Sequence, residues 1–268
     1  MEYSRLTVKS QVILEAKMKY INADNLLDYA FVNEDALVYP LRGICIFFHG
    51  YTDATMYESS NDFARALGER GIAWVFPYYS VWGWMSNNSQ AFNEQVIDAA
   101  YERLGADESL PLIVSGGSMG GLTALNYLIY GKRRAKGCAL NCPVTDLNKI
   151  FSDRRDFRRA ILSAHIEKDE PLDDVMERYS PICFARDLPH IPYFLAFGER
   201  DVYFCNTQMP PIIEQLKRCQ LPYTLLTVPE MKHCDLDSHP KAQAAYREFI
   251  ISLIEDQTTE MITEGNEE

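Results

Sequence analysis

No run of about 18 apolar residues occurs in the sequence, so no segment is suited to cross a bilayer as a helix. There is no C-x-x-C pair either. The seven cysteines (Cys45, Cys138, Cys142, Cys183, Cys205, Cys219 and Cys234) are odd in number and scattered, which argues against a zinc site or a disulfide framework. Free thiols in a reducing cytoplasm are the expectation. Positive charge is scarce. The 26 Lys and Arg face 38 Asp and Glu, a net charge of −12, so neither nucleic acid nor an anionic membrane is expected as a partner. The first twenty residues mix charges through their apolar positions and lack the compact apolar centre of a secretory signal. Internal repeats, low-complexity runs and Gly/Ser linkers are absent, as are a G-x-G-x-x-G and the lysine that follows a phosphate-binding loop. Nothing here implies a cofactor or a metal.

Part of the negative charge sits at the end of the chain. Residues 255–268 carry six acids and no Lys or Arg, leaving 26 basic against 32 acidic residues, a net of −6, over the other 254. The expectation is an acidic tail over 257–268 that solvates the end of the chain.

The apolar fraction of 47% and the length of 268 residues allow roughly three quarters of the unfolded surface to be buried. Short apolar runs read as buried strands over Gly43–His49, Ile72–Tyr78, Leu110–Ser115, Gly137–Asn141, Pro192–Gly198 and Tyr223–Val228. Helical periodicity falls between them, over Ser59–Arg70, Ala91–Leu104, Met119–Tyr130, Gln208–Arg218 and Pro240–Ile254. Such alternation predicts a mostly parallel sheet with helices on both faces. Two further strands are expected over Gln11–Ile21 and Asp28–Val32. Between Asp146 and Pro181 the rhythm breaks. That stretch has helical spacing and an arginine cluster (Arg154, Arg155, Arg158, Arg159), and it reads as a small helical cap over the sheet's carboxyl edge, where ligands bind in such folds. The expected organisation is a core of residues 1–145 and 181–256 with a cap insert over 146–180.

The strongest local signal is Ser115-Gly116-Gly117-Ser118-Met119-Gly120-Gly121, set between a predicted strand and a predicted helix. G-x-S-x-G at such a junction is the nucleophile-elbow pattern: a serine on a strained turn, with small neighbours clearing the adjacent strand and helix. A serine hydroxyl needs a base to take its proton. In this chain order an acid follows the serine and a histidine follows the acid. His233, just past the last strand, is favoured over His239, which precedes Pro240 at a helix start. Asp201, past the turn Gly198-Glu199-Arg200, is favoured over Glu199 and Asp146. The oxyanion needs two N–H donors. Met119, after the nucleophile, supplies one, and Tyr51, in the loop His49-Gly50-Tyr51-Thr52, supplies the other. His49 is then structural. The loop Tyr78-Tyr79-Ser80-Val81-Trp82-Gly83-Trp84-Met85 is rich in aromatics, and Tyr79, Trp82 and Trp84 are candidates to line a substrate pocket or to pack beneath the cap.

On His49-Gly50-Tyr51, Gly116–Gly121, Gly198–Asp201 and His233, the chain resembles the α/β-hydrolase superfamily over nearly its whole length, nearest the small carboxylesterases and prolyl-oligopeptidase-like serine hydrolases. The resemblance implies a Ser118–Asp201–His233 triad and a Tyr51/Met119 oxyanion hole. It departs from the oligopeptidases in having no room for a propeller and no Arg-Gly-rich loop after the strand ending at Tyr78. The expected function is therefore a serine esterase for small or aromatic acyl groups, with a serine exopeptidase acting on short peptides as the alternative. Its partner would be a small-molecule ester or a short peptide. The sequence leaves the oligomeric state open, a homodimer included.

Overall fold

The computed structural model describes residues 20–166 and 170–264, with side chains described up to residue 255. Seven strands form one sheet in the order β1-β3-β2-β4-β5-β6-β7: β1 (Ala30–Val32), β2 (Gly43–Phe48), β3 (Ile72–Pro77), β4 (Leu112–Gly117), β5 (Gly137–Asn141), β6 (Tyr193–Gly198) and β7 (Tyr223–Val228). Only β1 runs antiparallel, pairing Ala30 with Pro77. The others are parallel, with Ile44 opposite Leu112, Ile113 opposite Gly137 and Cys138 opposite Tyr193. The chain thus has the mostly parallel, helix-flanked sheet that the apolar runs predict. Residues of β3, β4, β5 and β6 are buried throughout, as helices on both faces require. β7 departs from expectation. It is the sheet's edge, and much of Thr224, Leu225 and Thr227 faces solvent. The strand expected over Gln11–Ile21 lies almost wholly outside the described residues.

Ten α-helices occur among the described residues: α1 (Asp62–Gly68), α2 (Asn87–Leu104), α3 (Met119–Tyr130), α4 (Leu147–Asp153), α5 (Arg155–His165), α6 (Leu172–Tyr179), α7 (Pro181–Phe184), α8 (Val202–Thr207), α9 (Met209–Arg218) and α10 (Pro240–Glu264). Side-chain caps mark some of the starts. Asn61 accepts from Ala64 N at α1, and Ser86 accepts from Ser89 N at α2, one turn ahead of the start that periodicity predicts. α2 ends at Gly105, whose φ of 62° is the left-handed cap that glycine tolerates. α10 runs past Ile254 to Glu264, because no Gly or Pro stops it. At the start of the acidic stretch Glu255 is engaged: its carboxylate meets Arg70 at 2.8 Å and Arg42 at 3.6 Å. Among the described residues no helix is long and apolar enough to cross a membrane.

Most of the interval 146–180 folds as α4, α5 and α6. Of these, α5 lies over the aromatic loop after β3. Phe157 of α5 meets Trp84 at 5.3 Å between ring centroids, and His165 Nε2 sits 2.7 Å from the Trp84 carbonyl. The arginines of this interval are largely spent on it. Arg154 pairs with Asp156 and stacks over Phe157, and Arg158 donates to the carbonyls of Phe151 and Ser152.

Candidate active site

Parallel strands deliver the loops after β2, β4, β5, β6 and β7 to one edge of the sheet, which is where the site assembles. At its centre, β4 ends in Gly117 and α3 begins at Met119, so Ser118 alone makes the bend. Its backbone, at φ 53° and ψ −119°, lies in a region that a side chain rarely adopts. The bend is held from three sides. Ser118 N donates to the Asn141 carbonyl at 3.0 Å, and the Ser118 carbonyl accepts from Val144 N and Leu122 N. The motif glycines have a physical reason. A Cβ on Gly120 would lie 1.9 Å from the Phe48 carbonyl oxygen, and one on Gly116 would lie 2.5 Å from the Gly120 backbone. Only bare backbone lets α3 start this close to β2. Ser118 is 7% exposed, and its hydroxyl stands at the positive end of α3.

Asp201 and His233 come from neighbouring loops that are laced together. Arg200 N donates to the Met231 carbonyl at 2.9 Å, Glu199 N donates to the Val228 carbonyl at 3.1 Å, and the Arg200 guanidinium pairs with Glu230. Gly198 permits the approach, since a Cβ there would sit 2.2 Å from the Met231 carbonyl oxygen. Asp201 has two tasks. Its Oδ1 caps α8 by accepting from Phe204 N, and its Oδ2 lies 2.5 Å from His233 Nδ1. The Phe204 ring lies over the imidazole at 4.0 Å between centroids.

The other ring nitrogen of His233 turns toward sulfur. Nε2 is 3.8 Å from Cys234 Sγ, and the Cys142 sulfur is close by, the three ligand atoms lying within 4.8 Å of one another. Ser118 Oγ makes no hydrogen bond to His233 among the described residues. The structure therefore joins Asp201 to His233 and brings Ser118 to the same edge, with the thiol of Cys234 against the imidazole. That thiol donates to the Asn141 carbonyl at 3.3 Å and lies against the Ser118 backbone N–H. Burial pulls the imidazole pKa down, but the bonds to Asp201 and Cys142 outweigh it and raise it to about 9. The Cys142 thiol is pulled down to about 6, first by the neighbouring Cys234 thiol, against the burial that opposes ionisation. Cys234 is pushed up by the nearness of Cys142 and by burial. Cys142, His233 and Cys234 are also the group that could hold a metal ion among the described residues.

The remaining expected residues divide by burial. Met119 opens α3, and its Sδ accepts from Trp84 N at 3.4 Å. Tyr51 follows Gly50, and a Cβ on Gly50 would lie only 3.7 Å from Ser118 Cβ, so this loop abuts the elbow. The Tyr51 ring packs against Trp84 and Phe157 at 5.5 and 5.2 Å. Trp84 and Tyr79 are buried among protein side chains. Trp84 lies beneath α5, and Tyr79 stacks on His49 at 3.9 Å. Trp82 is different. It is 55% exposed and, with Tyr51, Asp156, Arg159, Ala160 and Ser163, lines a cavity of about 290 Å³. Both ring nitrogens of buried His49 face carbonyl oxygens, those of Gly50 and Tyr79. Asp146 caps α4 through Lys149 N. Sequence reasoning missed the two cysteines. One adjoins His233 in sequence and the other directly follows a central strand, and those were the available signals.

No protein-family model and no curated protein matches the sequence. Solved structures match the fold. Esterase B from Lactobacillus Rhamnosis aligns at a TM-score of 0.65 and 15% identity, covering 97% of this chain and 96% of that one. An S-formylglutathione hydrolase from Agrobacterium tumefaciens aligns at 0.58 and 17%, covering 84% and 88%. A puromycin-hydrolyzing peptidase from Mycobacterium tuberculosis aligns at 0.64 and 21%, with 84% of this chain spanning 36% of that protein. The fold is that of the α/β hydrolases, and the solved structures similar to it include esterases, lipases and peptidases.

Proposed function

We propose that the protein is a serine hydrolase that cleaves carboxylic esters of small or aromatic acids through an acyl-enzyme. Ser118 Oγ attacks the acyl carbonyl, and His233 Nε2 takes the proton and returns it to the leaving alcohol. Asp201 holds the proton on Nδ1, so that the Nε2 lone pair is free and the imidazolium is stabilised when it forms. The N–H groups of Tyr51 and Met119 receive the developing oxyanion, each worth about 3 kcal/mol of barrier. Water then releases the acyl group by the same proton path. The observation that carries the reading is the strained backbone of Ser118 at a strand-to-helix junction. Such strain persists only where the surroundings enforce it, and it clusters at working sites. The proton path needs the His233 ring to turn from sulfur toward Ser118, and catalytic hydrogen bonds are often long before substrate arrives. The ring's 36% exposure gives it room to turn.

The 146–180 segment acts as the cap, with the cavity beside Trp82 and Tyr51 receiving the acyl group. The peptidase neighbours favour a second reading, cleavage of short peptides. Turnover of aminoacyl amides against the matching esters separates the two. The first test is Ser118→Ala. It should abolish hydrolysis of short p-nitrophenyl esters while circular dichroism and melting stay as in wild type. An unchanged rate would remove the proposal.

A further inference from the structure

The cluster around His233 Nε2 has the chemistry of a metal site that the hydrolytic reaction does not need. Cys142 Sγ, His233 Nε2 and Cys234 Sγ all lie within 4.8 Å of one another, and the pair from His233 and Cys234 is at 3.8 Å. Ligand atoms on a tetrahedral zinc ion, bound at about 2.1–2.3 Å, stand roughly 3.5–3.8 Å apart. The three donors therefore need shifts of about 1 Å or less to share one ion. The supporting shell is already built. Asp201 Oδ2 on His233 Nδ1 is the carboxylate–histidine arrangement that fixes the tautomer of a metal-binding imidazole and raises its basicity. Both cysteines sit on backbone that their surroundings enforce, at φ 45° for Cys142 and 57° for Cys234. The Cys142 N–H is anchored to the Ala196 carbonyl, and the Asn141 side chain donates to the Cys234 carbonyl. The three ligands come from two loops that the fold brings together, which is why no short spacing in the sequence reveals them.

We infer that Cys142, His233 and Cys234 form an inhibitory binding site for zinc or a similar thiophilic divalent cation. Two thiolates and an imidazole select such ions over Mg²⁺ or Ca²⁺. On binding, any proton carried by Cys142 Sγ, Cys234 Sγ or His233 Nε2 leaves to solvent, the two thiolate sulfurs and Nε2 each donate a pair, and one position on the ion stays open for water. The Nε2 lone pair that the metal takes is the one that must accept the Ser118 proton, so metal binding and hydrolysis exclude each other. This last step rests on the proposed function. The binding itself does not.

The experiment is titration of the thiol-reduced, chelator-stripped protein with Co²⁺ and then Zn²⁺. The expected result is one equivalent bound at about 1 μM or tighter, with thiolate-to-cobalt charge transfer and the strong visible absorption of a tetrahedral site. Zinc should displace the cobalt. Cys234→Ser and Cys142→Ser should each weaken binding at least tenfold. If Cys142→Ser fails to fold, the partly exposed Cys234 decides the matter. Ester hydrolysis should fall about tenfold at a zinc concentration ten times the dissociation constant and return on adding EDTA. Absence of charge transfer, or equal binding by a folded cysteine variant, would overturn the site. Charge transfer in a protein that never hydrolyses esters would leave the site standing and remove the hydrolase reading. Full metal loading without inhibition would overturn the inhibitory role.

Discussion

Asp201→Asn separates the two tasks of this carboxylate. In the wild type, Oδ1 caps α8 at Phe204 N, and Oδ2 accepts the proton on His233 Nδ1. If the Asn carbonyl keeps the cap, its NH₂ faces Nδ1, a donor against a donor. The imidazole must then carry its proton on Nε2, where it cannot accept one from Ser118. The expected loss is on the order of 10⁴-fold in kcat, about 5.4 kcal/mol of barrier. The stability loss is far smaller. A hydrogen bond to a charged group contributes about 1.5–3 kcal/mol, and the exposure of His233 places this one at the lower end, so Asp201→Asn should cost about 1.5 kcal/mol. Asp201→Ala also loses the cap and should cost about 1 kcal/mol more. Ester hydrolysis and urea melts of both variants test this. Asp201→Asn keeping activity within tenfold of wild type would refute the role given to the carboxylate. Equal stability of the two variants would refute the cap.

The pH profile carries a second prediction. The His233 pKa is raised to about 9, so kcat/KM, measured with EDTA present, should climb between pH 7 and 9 as the base becomes neutral, then level off. Stability runs the other way. A folded pKa above the ordinary 6.5 stabilises fully below 6.5, and that contribution is lost as pH rises through about 9. Cys142→Ser removes one raising contact and should move the activity rise to lower pH; a profile flat above pH 6.5 would contradict the argument. Gly198→Ala drives a Cβ into the Met231 carbonyl and should cost about 1–3 kcal/mol while displacing the loop that bears His233. Gly105→Ala is its control. With φ at 62° and nothing within 4 Å, it should cost about 1–2 kcal/mol in melting and leave hydrolysis unchanged.

What the sequence discloses follows from how local each cause is. The central strands are readable because burial on both faces makes them continuous apolar runs, and the elbow is readable because its turn demands small residues at fixed offsets. That Asp201 and His233 follow adjacent strands can be read from chain order alone. The edge position of β7 cannot, because Tyr-Thr-Leu-Leu-Thr-Val is as apolar as a buried strand and only the absence of a further neighbour among the described residues exposes it. The short helix α8 escapes notice because its cap is Asp201 itself, a residue that chain order already assigns to other work. Trp84 reads equally as pocket lining or packing until Phe157, seventy-three residues on, covers it. Cys142 and Cys234 lie ninety-two residues apart, so their meeting at one imidazole is a property of the fold and not of any motif.

The central claim is that the Ser118 hydroxyl is the nucleophile. A fluorophosphonate probe followed by peptide mass spectrometry asks this directly. The account predicts one phosphonyl group per chain, carried on Ser118, with ester hydrolysis lost in step and no labelling of Ser118→Ala. An active protein that resists the probe, or an adduct on Cys142 or Cys234 with Ser118 unmodified, would contradict it.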